Sequence, residues 1–380
     1  MTMRTKHEIV GEFKERYFKV AKEEKSELLD HLEAVTRLER KSLIKRFRVL
    51  QTRRSFWTDS RGRPEYYGAD VTAALKEVWG ISRGLCAERL KPILAEYVGI
   101  LITAKDWHHS AEATGKLLAM SLGTMKDRIA SFDRMKSGGG RGTTKPSDLK
   151  EIIPIRRGPW DNPPPGKGEI DTVAHCGGAL AGNFAYTVQY TDVATIWTLL
   201  GAQMNKGQEA TLHTVSAMKE RLPFPMIGLD PDTGSEFINW QMKGWCDENE
   251  IELTRIRPYH KNDHGRIEQK NYTNVRRLVG YIRVDTKARV KILQKLFTVY
   301  EDFVNHFLPS QKCLEKKRIG SRYVKRYDTP KTAYQRVLEH KDIAKDVKEK
   351  LRQKHATLNP KTLQEKIDRI RTELFRGVKM

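Results

Sequence analysis

Cysteine is scarce in this chain. Its 380 residues hold four, Cys86, Cys176, Cys246 and Cys313, scattered and without a CxxC spacing. That excludes a disulfide framework and a structural zinc module, and it points to a reducing compartment. No run of about 18 apolar residues exists, so no membrane span is expected. The opening MTMRTKHEIVGEF lacks the apolar core of a secretory signal. No internal repeat is visible. Acidic residues are the other shortage: 48 Asp and Glu stand against 70 Lys and Arg, for a net charge of +22 at pH 7 and a pI near 9.7. Such an excess favours a polyanionic partner, and the phosphate backbone of nucleic acid is the usual one. With 38% hydrophobic residues and a mean hydropathy of −0.63, the chain reads as a soluble globular protein of two or three domains.

The first part of the chain reads as helices. TKHE at 5–8 has the form of a capping box, with Thr5 as N-cap and Glu8 reaching back. A second helix carries Leu28, Leu29, Leu32 and Val35. After the break TRLER, RKSLIKRFRVL resumes helical spacing through Leu43, Ile44 and Phe47. Arg40, Lys41 and Lys45 fall off that stripe. The pair is either a helix-turn-helix with a basic DNA-facing member or a helical hairpin with a solvated basic face. Arg61 and Arg63, in SRGRPEYYG, sit on an extended stretch that suits a minor-groove arm or a plain linker. A second helical block follows, and KLLAMSLGTMKDRIASF near its end has a helix-turn-helix cadence. Ser121-Leu122-Gly123 would make the turn, and Thr124, Lys126 and Arg128 the exposed start of a recognition helix.

Glycines, prolines and cations then form a linker, and from residue 168 the period changes. GEIDTVAHC, FAYTVQYTDV and TIWTLLGAQM are strand-like runs. A helix over 208–221, a strand FPMIGLD, a helix over about 235–247, a strand IELTRIR and a helix over 264–280 follow. The expected fold is multidomain, α plus α/β, with a mixed sheet. Its expected parts are a helix-turn-helix region over 1–58, a second helical domain over 59–133, a linker over 134–164, a core over 165–285 and a basic C-terminal region over 286–380. Tyr323 and Tyr327 lie among the cations of that last region. Removing residues 1–133 is expected to leave the core folded.

Three carboxylates stand out in the core. On the helix over 264–280, Glu268, Tyr272, Val275 and Val279 follow i, i+4, i+7, i+11, which puts a glutamate on the stripe that should face the sheet. A buried carboxylate needs a proton, a cation or a metal ion. Asp171 sits mid-strand in EIDTV. Asp232, in LDPDTGSEF, follows Pro231, which cannot donate to a ladder and so ends the strand. A side chain there projects into the crevice where α/β sheets place their sites. Each acid alone has an ordinary reading as a turn, cap or paired residue. Together, from a strand, a strand end and a helix, they make a hard-oxygen site suited to Mg²⁺ or Mn²⁺. Asp230 reads as the last residue of its strand, Glu236 as a first-turn helix residue favoured by the dipole, and Asp192 as a strand-end residue. Lys270 and Arg276 flank Glu268, either on a solvated face or against a DNA backbone.

These residues resemble a known family. DTGSEFIN is similar to the D-N-G-x-E-F element of retroviral integrases and bacterial DDE transposases. RPYHKNDHGRIEQKN resembles the segment carrying their glutamate, and GEIDTVAH the strand of their first aspartate. The 35 residues between Asp232 and Glu268 match the family's spacing, whereas Asp230 does not align. The resemblance covers about 165–285. It departs at Thr233, where Asn is common, and in having no paired-His, paired-Cys module: His108 and His109 are adjacent without cysteine partners. That favours the insertion-sequence transposases of bacteria.

The resemblance implies an RNase H-like core with two Mg²⁺ ions, Mn²⁺ substituting. Asp171 would bridge both ions, and Asp232 and Glu268 would each hold one. It further implies cleavage and strand transfer of a mobile element's DNA after binding its terminal inverted repeats. Expected with it are double-stranded DNA as partner, a homo-oligomer on that DNA, no membrane or small-molecule substrate, and a nucleoid-associated place in the bacterial cytoplasm. The rival readings are a catalytically silent, transposase-derived DNA-binding protein and an RNase H-like nuclease that takes Asp230 or Asp263 as a fourth carboxylate.

Overall fold

The structure, a computed structural model, describes residues 3–52, 66–132, 163–232, 234–255, 269–319 and 322–377. The chain divides into two compact units, Met1–Tyr66 and Tyr67–Met380.

In the first unit, α1 (Met3–Glu12), α2 (Lys14–Lys19), α3 (Lys22–Thr36) and α4 (Arg40–Thr52) close on Val10, Leu28, Leu29, Leu32, Leu43 and Phe47. Tyr17 stacks on Phe47 with ring centroids 3.9 Å apart. Helix α3 stops where Arg37 takes a left-handed conformation, φ 54°, as helix ends commonly do. The basic helix after a tight break is thus present. Two details differ from expectation. Helix α1 begins at Met3, so the Thr5–Glu8 box lies inside the helix and does not start it. Val35 is 43% exposed, because the inner face of α3 runs through Leu28, Leu29, Leu32 and Thr36 and leaves Val35 beside it.

The second unit is built on a five-stranded sheet in the order β3-β2-β1-β4-β5. Its strands are β1 (Lys167–Ala174), β2 (Tyr186–Asp192), β3 (Thr198–Gln203), β4 (Gly228–Pro231) and β5 (Glu252–Leu253). The first three pair antiparallel, and β4 and β5 run parallel to β1. This mixed sheet, behind a helical N-terminal region, is the α plus α/β arrangement expected from the sequence. Helices α5 (Ala69–Ile81), α6 (Ala87–Leu90), α7 (Leu94–Thr103), α8 (Ala111–Ala119) and α9 (Leu122–Ala130) precede it. Helices α10 (Gln208–Arg221) and α11 (Trp240–Glu248) join its later strands. A π-helical stretch, Asn271–Arg276, runs into α12 (Arg277–Val279) and is followed by α13 (Lys287–Phe307). A hairpin of β6 (Cys313–Ile319) and β7 (Arg322–Tyr327) and helices α14 (Ala333–Glu339), α15 (Lys345–Ala356) and α16 (Pro360–Phe375) follow.

Strand alternation divides the sheet's side chains between two cores. Ile170, Val188, Tyr190, Leu199 and Leu229 pack with Val215 and Met218 of α10 and Met242 and Cys246 of α11. Val173 and Leu200 join a larger cluster formed by α5 to α9, α12, α13 and α16. Residues 69–132 and the long helices after 286 therefore belong to one packing unit with the sheet. Where separate domains are expected over 59–133 and 286–380, the buried side chains of these helices fall in one continuous cluster. The linker expected over 134–164 lies almost wholly outside the described residues.

Helix α13 also closes the sheet's edge. Among the described residues strand β3 has no strand beyond it, and an open edge exposes backbone donors to chance pairing. Gln294, Glu301 and Asn305, spaced i, i+7, i+11 on one helix face, accept from Ala202 N at 2.8 Å, Leu200 N at 2.7 Å and Thr198 N at 2.8 Å. Asn305 Nδ2 donates back to Thr198 O at 2.8 Å, and Arg221 Nη2 to Leu200 O at 3.0 Å.

Candidate active site

Three segments meet at one end of the sheet. In the parallel pair β1 and β4, Glu169 lies opposite Asp230 and Ile170 opposite Pro231. One further step of that register sets Asp171 across from Asp232, on neighbours about 4.8 Å apart. Pro231 closes β4, and Asp232 opens the turn after it. Both aspartates are half-buried. Asp171 Oδ1 accepts from Thr172 N at 2.7 Å and its Oδ2 from Asn271 Nδ2 at 2.6 Å. Asp232 Oδ1 accepts from Gly234 N at 2.9 Å, an Asx turn that fixes the carboxylate against its own backbone.

Glu236 is not where the sequence reading puts it. Helix α11 starts only at Trp240, capped by Asn239 Oδ1 on Met242 N at 2.8 Å, so Glu236 belongs to the turn. It is 2% exposed. Its Oε1 accepts from Thr172 Oγ1 at 3.2 Å and lies 3.5 Å from Lys206 Nζ. Its Oε2 is buried with no hydrogen-bond partner. A Cβ on Gly234 would stand 2.7 Å from Glu236 Oε2 and 2.9 Å from Asp232 Oδ1. Glycine is what lets the two carboxylates share this pocket.

Asn271 is the second residue the sequence reading passed over. Besides holding Asp171, it leaves its own Oδ1 buried and unpartnered. Glu268 lies outside the described residues. The stripe drawn through it is corrected: Val275 and Val279 are buried, but Tyr272 is 41% exposed and Asn274 is buried instead. The π-helical turn over 271–276 changes the phase, so a 3.6-residue period cannot be run through it. Asp230 is fully buried and accepts from Thr254 Oγ1 at 2.7 Å. Asp192 is buried too, bonded by Gly166 N at 2.7 Å and by Thr195 N and Oγ1 at 2.6 Å each, and burial lifts its carboxyl to about 6. Burial, aided by Arg276, pushes His175 down to about 3, so it is a neutral partner of Thr187 Oγ1 at 2.6 Å.

The acceptors gathered here are all oxygens, the chemistry hard divalent cations take, with the Lys206 ammonium 3.5 Å from one of them. The buried, unpartnered oxygens of Glu236 and Asn271 beside Asp171 and Asp232 fit such a cation: a buried acceptor without a donor is costly unless something electropositive meets it. Among the described residues no three His, Cys, Asp or Glu side chains come together as a complete ligand set, and the remaining carboxylate of the expected set is Glu268.

A protein of Sinorhizobium fredii (strain NBRC 101917 / NGR234), uncharacterized protein y4rM, is 37% identical over 337 residues, which is 87% of this chain and 94% of its own length. The chain belongs to the y4rM family. No family model matches it. Among solved structures, the HTLV-2 integrase catalytic core domain in complex with magnesium (dimeric form) is similar over 40% of this chain and 93% of that one, at 12% identity and a TM-score of 0.31.

The cations expected to touch DNA are placed unevenly in this y4rM-family chain. Lys41 and Lys45 are exposed on α4, whereas Arg40 is engaged by Asp30 of α3. Ser121, not Gly123, ends the turn before α9 and caps it through Thr124 N at 3.2 Å. Thr124 Oγ1 bonds Ser121 Oγ at 2.9 Å. Lys126 is paired with Glu88 at 2.7 Å and still half exposed. Arg128 is turned inward, donating to Tyr67 O at 2.6 Å and to Thr72. Lys270 Nζ donates to Ser310 Oγ at 2.8 Å, and burial beside Arg89 and Arg336 drops its amine to about 7. Arg276 stacks on the Tyr281 ring at 4.7 Å. Arg61 and Arg63 lie outside the described residues. No helix among the described residues is long and apolar enough to cross a membrane.

Proposed function

We propose that this chain is a DDE-type transposase: a metal-dependent enzyme that cleaves DNA at the ends of a mobile element and joins them to target DNA, working as a homo-oligomer on those ends. The observation that carries the reading is the parallel register of β1 and β4, which ends with Ile170 opposite Pro231, one residue before Asp171 and Asp232, with the buried unpartnered oxygens of Glu236 and Asn271 nearby. Asp171, Asp232 and Glu268 would hold two Mg²⁺, or Mn²⁺ in its place. Bound there, the ions would activate a water or a DNA 3′-OH and neutralise charge on the leaving oxygen. The chain's own residues orient the site. Asn271 and the Thr172 N–H aim the two oxygens of Asp171, and the Gly234 N–H holds Asp232. Glu268 and Asn271 stand i, i+3 in the sequence. Lys206 keeps a positive charge near Glu236 and any phosphate brought to it.

The test is cleavage and strand joining on DNA carrying the element's ends, with Mg²⁺, for wild type and Asp232→Asn. An active wild type with an equally active variant would sink the assignment. DNA binding without nicking under any metal would favour the silent DNA-binding protein. Glu236 favours one further reading, an RNase H-like nuclease with a fourth carboxylate, because Asp230 is already taken by Thr254. Cleavage of an RNA–DNA hybrid faster than of duplex DNA would select it.

A further inference from the structure

The hairpin β6–β7 has no role in the site above and an unusual surface. Among the described residues its two strands pair only with each other, and every residue of β7 is exposed. Residues 312–327 carry seven Lys and Arg against one acid, Glu315. That acid is already met by Lys317 at 2.7 Å and Arg326 at 3.9 Å. The ladder sets Arg318 beside Tyr323, and alternation puts Lys325 and Tyr327 on the same face, which carries no acid at all.

Cations on an exposed ribbon can serve merely to stop it pairing with another copy. That role needs charge only. Here Ile319 is 64% exposed, Tyr323 57% and Val324 53%, which a plain solvated ribbon would avoid. An isolated two-stranded hairpin is marginal in water, yet the base of this one is firmly built. Asp328 accepts from Lys312 N at 2.6 Å and from Arg336 Nη1 at 2.7 Å, and Arg336 Nη2 reaches Ser310 O at 2.8 Å. A rigid foot under a blade with both faces in solvent is a geometry for insertion.

The geometry points to β6–β7 as a ribbon that enters a groove of double-stranded DNA, with Arg318, Arg322 and Lys325 on phosphates and Tyr323 and Tyr327 against sugars and base edges. A two-stranded ribbon fits the major groove, about 12 Å wide, and strands of this length run about 20 Å along it. The ligand must be polyanionic and also offer flat or apolar surface, which a duplex does. This rests on the DNA reading above.

The test compares the full chain with Arg318→Gln/Arg322→Gln/Lys325→Gln in binding to a 40-base-pair duplex (about four turns, longer than the ribbon's reach) across a salt series, with melting temperature as the folding control. The variant is expected to melt like wild type, to bind at least tenfold more weakly, and to lose about 0.9 from the slope of log K against log salt per phosphate contact removed. A wild type that binds no duplex overturns the DNA reading itself. A wild type that binds, with a variant of unchanged affinity and slope, overturns only the hairpin's assignment. So does weaker binding at unchanged slope, since phosphate contacts would then not be what was lost. Charge-dependent binding of the hairpin to anionic phosphatidylserine vesicles, with none to the duplex, also overturns it.

Discussion

Glu236 is buried with one oxygen unpartnered, so its environment distinguishes a carboxylate from an amide of the same shape. Glu236→Gln keeps an acceptor for Thr172 but changes the donor set for a cation. Metal-dependent strand cleavage is expected to fall about 10- to 100-fold, as for other residues that support a metal site. Thermal melts should show the Mg²⁺-induced rise of the wild type reduced, with the metal-free melting temperature little changed. Gly234→Ala drives a methyl to 2.7 Å from the Glu236 carboxyl. A destabilisation of about 1–3 kcal/mol is expected from that overpacking, with activity lost at temperatures where the protein stays folded. The positions of Asp171 within its strand and Asp232 just past the end of its own were legible in the sequence, because a strand pattern and a proline fix each locally. Glu236 and Asn271 were not, because their meaning lies in contacts to β1 from segments 64 and 100 residues away, and because a π-helical turn defeats a 3.6-residue projection.

The same contrast holds for elements. Helix α10 and the three antiparallel strands were readable from period and turn residues alone. The seal of α13 on β3 was not, since Gln294, Glu301 and Asn305 read merely as polar positions on an amphipathic helix. Asn305→Ala removes the partners of both Thr198 N and Thr198 O. Two orphaned buried backbone groups are expected to cost about 2–6 kcal/mol, measurable as a lower urea midpoint at unchanged slope. Glu301 adds a pH dependence. Burial raises its carboxyl from an ordinary 4.5 to about 7, against the opposing pull of Arg221. A carboxyl with a raised folded value binds more protons folded than unfolded, so ionising it costs stability. That cost is absent below about 4.5 and complete above about 7, and it reaches about 3 kcal/mol. Glu301→Gln keeps the bond to Leu200 N and should gain on wild type by that amount between pH 5 and pH 8 in paired urea titrations. A constant difference across that range would mean Glu301 ionises as easily folded as unfolded.

Across the whole molecule the boundary that matters lies at Tyr66, not near residue 133. Composition marks 134–164 as the obvious linker, and Gly- and Pro-rich stretches do often separate domains. Packing says otherwise, because the core of helices α5 to α9 is continuous with that of α13 and α16. Leu75, Val78, Leu90, Ile93, Tyr97 and Leu101 are fully buried in a cluster with Leu296, Phe297, Phe303 and Phe307 of α13 and Ile367 and Leu374 of α16. The Tyr97 hydroxyl donates to Phe307 O at 3.1 Å. At about 1.5–3 kcal/mol for each large side chain, six such residues contribute about 9–18 kcal/mol. That is as much as the entire stability of an ordinary domain, about 5–15 kcal/mol. A chain beginning at residue 67 should therefore melt cooperatively, with near-native helix and strand content. A chain beginning at residue 134 should be insoluble or lack a cooperative transition, its α13 face stripped of cover. If the shorter chain instead folded as well as the longer one, the sheet and its site would be independent of α5 to α9. Loss of end-specific DNA binding on removing residues 1–66 alone would then place recognition in the small helical unit. Retained binding would move it to α9 and the cations around it.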